Sequence, residues 1–313
     1  MVVGMPEKSG NGSATLTTGA EKGQADPIRA VAATVRAADS VAGAGQLACV
    51  LEVSAEKPGN ITPGHDFHDT SYEDMLRSAI AVGPELARAR ERGVGETVLA
   101  VVEASRRVAP PNTNLGIALL LAPLAKGALD GAPLRARVGA TLRALDVADA
   151  RAAYAAIAVS GAGGLEERVK HDVRSEPSVG LREAMQDAAG RDSVASEYVT
   201  DYALTFDTGI PALVAALGDG LGVRAAVVEL HLRLLDRAPD TLIARKRGAE
   251  AAARVSAGAR EVLDAGGVRT AAGRSALQRF DASLRRPDNA LNPGTTADLV
   301  TATLFVALVE RML

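Results

Sequence analysis

Apolar residues recur at three- and four-residue spacings along almost the whole chain, and no segment alternates convincingly with period two. Ile28, Val31, Val35 and Ala38 form one stripe behind Asp26-Pro27, a capping residue followed by proline in the first turn. The pattern resumes through Leu47, Val50 and Leu51 and stops at the turn Lys57-Pro58-Gly59-Asn60. A loop over 61–70 follows. Met75, Ala79, Val82 and Leu86 then mark a helix that Ser71 opens, with Asp74 as the carboxylate half of a capping box. Glycines at 93 and 95 separate it from a helix over 97–108. Pro110 and Pro111 stop that helix, and Asn112, Thr113 and Asn114 offer caps to the apolar run from Ile117 to Ala125.

Further helices are predicted over 134–145, 147–159, 181–189, 193–206, 210–217, 223–237, 250–263, 271–284 and 295–313. A short segment runs from Asp240-Thr241 to Arg245-Lys246-Arg247-Gly248, and Thr295 with Asp298 forms a capping pair at the last helix start. Ser160-Gly161-Ala162-Gly163-Gly164 lacks both the Lys-Ser/Thr ending of a P-loop and a preceding strand, so it reads as a flexible connection. The polar stretch 166–180 holds His171-Asp172. Residues 1–25 are rich in Gly, Ser, Thr and Lys, have little periodicity and predict a disordered tail. The fold expectation is all-α: one bundle-like helical domain over 26–313, with interhelical loops and helix N-termini building the active site.

Composition narrows the class. Aromatics are 3% of the chain and Trp is absent, which favours helices packed through Ala and Leu over a sheet. A formal charge of -3 gives no basic footprint for nucleic acid. The single cysteine, Cys49, forms no internal disulfide and reads as a small core residue, which fits a cytoplasmic protein. The N-terminus shows no signal-peptide pattern, and the apolar runs are too short or interrupted to span a membrane.

Four polar clusters fall in the loops and helix starts. They are Glu52 with Lys57-Pro58-Gly59; His65, Asp66, His68, Asp69 and Asp74; Asn112-Thr113-Asn114-Leu115-Gly116; and Arg245-Lys246-Arg247 with Asn292-Pro293-Gly294 and Asp298. A helix N-terminus presents free N–H groups and suits phosphate. Each cluster also has a structural reading as a cap, a turn or a solvated helix end. The His/Asp group is a second candidate for a transition metal, although its spacing matches no specific zinc pattern.

Five segments in this order resemble the triphosphoribosyl-dephospho-CoA synthase family. They are Glu52 through Gly59, Asp74-Met75-x-x-Ser78-Ala79, the Asn112-Thr113 helix start, Asp240-Thr241…Arg245-x-x-Gly248, and Leu291-Asn292-Pro293-Gly294…Ala297-Asp298-Leu299. The resemblance runs from about Asp39 to the C-terminus. It implies an all-helical transferase that joins the ribose of ATP to 3′-dephospho-CoA, releases adenine and keeps the triphosphate, making a prosthetic-group precursor. The chain departs from the family at Asn114-Leu115, where members commonly carry His-Lys, and in the loop 65–70.

That chemistry sets the residue assignments. Positive charge builds on the sugar as the base leaves, so a carboxylate nearby helps. The base needs a proton donor and the attacking hydroxyl a proton acceptor. Glu52, Asp66 and Asp69 are the catalytic candidates. A triphosphate calls for Mg²⁺ on oxygen ligands, for which Asp66, Asp69, Asp74 and Asp298 are candidates, and for cations and amides. Lys57, Gly59, Asn112, Thr113, Asn114, Gly116, Arg245, Lys246, Asn292 and Gly294 are the candidate substrate and phosphate contacts. The alternatives are a helical nucleotide-using enzyme with another acceptor or reaction, and a non-catalytic nucleotide-binding or assembly protein.

Overall fold

The structure, a computed structural model, describes residues 41–110, 114–128, 133–161 and 175–313. The tail, the helix expected from Asp26, Asn112, Thr113, the glycine-rich stretch beyond Gly161 and His171-Asp172 lie outside the described residues. The helices are α1 Val41–Val53, α2 Tyr72–Ala87, α3 Val94–Arg106, α4 Leu115–Gly127, α5 Leu134–Arg143, α6 Val147–Ser160, α7 Leu181–Ala188 and α8 Ser193–Val199. A π-helical segment, Leu204–Gly209, leads into α9 Ile210–Gly218; then come α10 Val223–Arg237, α11 Thr241–Arg247, α12 Ala249–Asp264, α13 Ala271–Leu284 and α14 Gly294–Val309. Among the described residues there is no strand, only an isolated bridge between Thr62 and His65. The all-α expectation holds. No described helix is long and apolar enough to cross a membrane.

Helix α14 is apolar all round and therefore central. Val300, Ala302, Leu304, Phe305, Val306 and Ala307 have no solvent exposure. Two of its buried threonines satisfy their hydroxyls within the helix: Thr301 donates to Ala297 O and Thr303 to Leu299 O. Around it pack α1, α4, α10 and the π-helical segment. Gly209 lets that segment come close, since a Cβ there would lie 2.3 Å from Thr303 Oγ1.

Two helices carry an internal proline, and each has a side chain that replaces the missing donor. Pro84 leaves the Ile80 carbonyl of α2 without its N–H partner, and Gln46 Nε2 donates to that oxygen at 2.7 Å. Pro123 does the same to Leu119 in α4, and the Tyr198 hydroxyl supplies the bond at 2.7 Å. Tyr202 donates to the adjacent Leu120 carbonyl, also at 2.7 Å. Both tyrosines are fully buried, so their polar tips need these partners.

The continuous helix expected over 193–206 is broken. Asp201 and Tyr202 sit at φ 50° and 61°, in the left-handed region. The buried Glu197 carboxylate holds the break by accepting from Leu204 N at 2.9 Å, Thr205 N at 3.0 Å and Thr205 Oγ1 at 2.6 Å. Two of those donors are amides that begin the π-helical segment, and no local periodicity marks the change.

Candidate active site

Helix α1 ends at Glu52-Val53, and the chain turns through Lys57-Pro58-Gly59-Asn60. Gly59 adopts φ +72°, and a Cβ there would lie 2.9 Å from Leu284 Cβ and 3.2 Å from Pro293 Cδ. The position therefore requires glycine on both counts. Asp281 accepts from Gly59 N at 2.8 Å, and Arg285 donates to Asn60 O at 2.7 Å. These bonds clasp the turn against the end of α13 and the start of α14, bringing together two motifs more than two hundred residues apart.

Lys57, expected at a phosphate, points inward. It is 1% exposed and Glu52 is 3% exposed. The ammonium pairs with Glu52 Oε1 at 2.9 Å and donates to Glu52 O and, at 3.3 Å, to Ala55 O. All three of its N–H donors are engaged. Burial pushes the Glu52 carboxyl above its usual range, and Lys57 pulls it back. In this arrangement neither Lys57 nor Glu52 is presented to a ligand; together they lock the turn.

A second buried carboxylate joins two helix starts. Asp240 Oδ1 accepts from Leu242 N and Ile243 N of α11, at 2.9 and 3.0 Å. Its Oδ2 accepts from Thr296 N at 2.7 Å and Thr296 Oγ1 at 2.8 Å, at the start of α14. Burial pushes this carboxyl up as well, while the Thr296 and Ile243 amides hold it down. Gly294 belongs to the same joint: a Cβ there would meet Leu242 Cδ2 at 2.6 Å. Asp192 caps α8 through Val194 N and Ala195 N and pairs with Arg245 at 2.6 Å. Its place just before Ser193 marks it as a cap, but no sequence signal gives its arginine partner. Arg245 keeps 38% of its side chain exposed, and Lys246 is exposed beside it.

Asp298 lies one turn into α14. Its carboxylate rests on the first turn of α4, where a Cβ at Gly116 would sit 2.0 Å from Asp298 Oδ2. Burial, with the negative charges of Glu52, Asp240 and Asp192, raises its carboxyl well above the usual range; Arg245 opposes this. Surrounding protein dominates that effect although the residue retains partial solvent access. Cys49 is buried nearby, and burial with Glu52 and Asp298 holds its thiol protonated. Asn114, expected at a phosphate, is turned into the core instead. Its Nδ2 donates to Ser78 Oγ of α2 at 2.5 Å and to Ser105 Oγ of α3 at 3.3 Å, fixing where α4 begins.

The acidic loop is arranged differently from the expected metal site. Asp66 is exposed and accepts from Tyr72 N at 2.8 Å. Asp69, also exposed, accepts from Thr70 Oγ1 at 3.3 Å. Asp74 completes the capping box with Ser71 and pairs with Arg77; the Ser71 amide first, and then Arg77, lower its carboxyl. Among the described residues no three His, Cys, Asp or Glu side chains converge to hold a metal ion. Asp66, Asp69, Asp74 and Asp298 therefore do not form one cation cage, and the His65/His68 group does not form a transition-metal site. His68 Nδ1 instead lies 3.2 Å from Asn289 Nδ2, joining this loop to the turn before α14. Beyond that turn, Asn292 Oδ1 is buried without a hydrogen-bond partner, as is Asn60 Nδ2 on the facing turn.

What forms is a carboxylate-rich junction at the N-terminal end of α14. Helix α11 and the Lys57–Asn60 turn pack on it, α4 starts against it, and Arg245 with Lys246 stands at its rim. The class is an all-helical scaffold with buried acids and helix N-termini gathered at one end, where free helix amides suit an anion. The chain belongs to the CitG family, ATP:dephospho-CoA triphosphoribosyl transferase, whose model matches residues 38–313. It is 38% identical over 101 residues to the Stutzerimonas stutzeri (strain A1501) protein named a probable 2-(5''-triphosphoribosyl)-3'-dephosphocoenzyme-A synthase, covering 31% of this chain and 33% of that one. A Citrobacter koseri protein of the same name is 29% identical over 149 residues, 48% of each chain. The aligned parts thus span a third to a half of these curated relatives. A crystal structure from Archaeoglobus fulgidus, carrying the name triphosphoribosyl-dephospho-CoA synthase, superposes with a TM-score of 0.59 at 29% identity over 75% of this chain and 98% of that one.

Proposed function

We propose that the chain is a transferase joining the triphosphoribosyl group of ATP to 3′-dephospho-CoA with release of adenine. The observation that carries this reading is the family match across 38–313. Three of the five motif segments, Glu52 to Gly59, Asp240 to Gly248 and Leu291 to Leu299, also lie together at one junction. The first turn of α4 at Gly116 suits a phosphate through its free amides, and Arg245 and Lys246 supply cationic charge at the rim. Asn112 and Thr113 belong to the same helix start by sequence, and Asn292 and Gly294 to the opposite wall. Glu52 and Lys57 act here by holding the wall. Three or more acidic ligands for Mg²⁺ do not gather among the described residues, so no step is assigned to the metal. A triphosphate commonly binds Mg²⁺ through its own oxygens with few protein ligands. A lone cysteine suits a reducing compartment such as the cytoplasm.

The test is incubation of purified protein with ATP, Mg²⁺ and 3′-dephospho-CoA, read by mass spectrometry. The expected outcome is free adenine and the triphosphoribosylated product in equal amounts. Adenine without that product would favour the second reading, a different acceptor, which Asn114-Leu115 in place of the family's usual His-Lys motivates. Neither species appearing with folded protein would overturn the transferase reading.

A further inference from the structure

The reaction needs a proton donor for the departing base, and four carboxylates crowd the junction. Three of them are committed. Glu52 is sealed against Lys57. Asp240 spends both oxygens on α11 and on Thr296. Asp192 spends one on its helix cap and the other on Arg245. Asp298 makes no hydrogen bond or ion pair among the described residues, keeps partial solvent access and faces the first turn of α4. On the two turns that meet beside this junction, Asn60, nine-tenths buried, leaves Nδ2 without a partner, and Asn292 leaves Oδ1 without one. An unpartnered buried polar atom is costly unless something fills its place.

The geometry points to Asp298 as the catalytic acid of this site, protonating the adenine that leaves and then receiving the proton of the attacking hydroxyl. This role rests on the transferase reading above. The bond between ribose C1′ and adenine N9 breaks, and its electron pair stays on the purine. The Asp298 proton passes to a purine ring nitrogen, so neutral adenine departs. The acceptor hydroxyl oxygen bonds to C1′, and its proton returns to the Asp298 carboxylate. Atoms and charge balance without a further reactant. Burial first, and then the negative neighbours Glu52, Asp240 and Asp192, keep the proton on Asp298 before the step. Gly116 is what allows the approach: any side chain there would drive into the carboxylate.

The experiment compares Asp298→Asn with wild type on two donors, ATP and its N7-methylated analogue, whose base already carries the positive charge and leaves without a proton. Base release is measured by chromatography with mass detection, and ATP affinity by calorimetry. The expected result is a loss of roughly 100-fold or more in kcat with ATP, with affinity little changed, and a rate within about 10-fold of wild type with the methylated donor. Asp298→Ser, which also lacks the carboxylic acid proton, is expected to show the same donor-selective loss; it keeps the test decisive if Asp298→Asn folds poorly. Equal impairment on both donors, or no impairment on ATP, would overturn the role while leaving the transferase reading standing. A wild-type protein that releases no adenine from ATP would overturn both.

Discussion

The Lys57–Glu52 pair separates a structural clasp from a substrate contact. Replacing Lys57 by Met keeps the apolar stem and removes the ammonium. The pair is almost wholly enclosed at 2.9 Å. Deleting one partner of such a pair costs about 3–5 kcal/mol, because the remaining charge is left uncompensated in a poorly polarisable surrounding. Two backbone carbonyls, those of Glu52 and Ala55, lose a donor in the same step. Adding Glu52→Gln removes the stranded carboxylate, so the double variant is expected to recover roughly 2 kcal/mol relative to the sum of the single effects. The pH dependence has a fixed sign. In Lys57→Met, burial raises the Glu52 carboxyl above its unfolded value of 4.5 with no cation to oppose it. Folding then favours the protonated acid, so stability is fully present below the unfolded value and is lost as pH rises through the folded one. Urea denaturation followed by circular dichroism at pH 5 and pH 8 reads both effects, and the deficit of Lys57→Met is expected to be larger at pH 8. A lysine reaching into solvent toward phosphate would behave otherwise. A Lys57→Met cost within about 0.5 kcal/mol of zero, the range of ordinary surface substitutions, would refute the clasp and return Lys57 to the phosphate site.

Two further predictions concern the frame. Tyr198→Phe strands the Leu119 carbonyl that Pro123 already deprives of its helical donor, at an expected cost of about 1–3 kcal/mol; in a Pro123→Ala background, where the N–H returns, that cost is expected to shrink, and equal costs in the two backgrounds by denaturation would sink the idea. His231 is fully buried with both ring nitrogens unpartnered, and burial, helped by the Lys57 charge, pulls its pKa from 6.5 down to about 3. In that window the unfolded chain binds a proton that the folded chain does not, so stability falls as pH drops below 6.5, by at most roughly 5 kcal/mol. His231→Leu is expected to lose this slope; a difference from wild type that stays constant between pH 7 and pH 4 would contradict it.

The sequence by itself determined the helical class and most element boundaries. Apolar spacing and capping residues are local signals, which is why Ser71 with Asp74, Asp146 and Thr270 open helices as side-chain caps. The order of its motifs was enough to place it beside its family. Tertiary structure decided which of those polar residues face a ligand. Lys57 and Asn114 look like phosphate contacts in a string of letters, yet their donors are taken by Glu52, Ser78 and Ser105, partners supplied by helix ends and neighbouring helices. The break at Asp201-Tyr202 is held by the buried Glu197, and the neighbouring Tyr198 reaches the one carbonyl, Leu119, that Pro123 frees far away in the chain. Asp298 reads equally as a cap or as a metal ligand. Only the approach of Gly116 from α4, and the commitment of Glu52, Asp240 and Asp192 elsewhere, leave it as the one available acid at this junction among the described residues. A side chain's partners are fixed by packing between distant segments, and no local pattern records which of its hydrogen bonds are already spent.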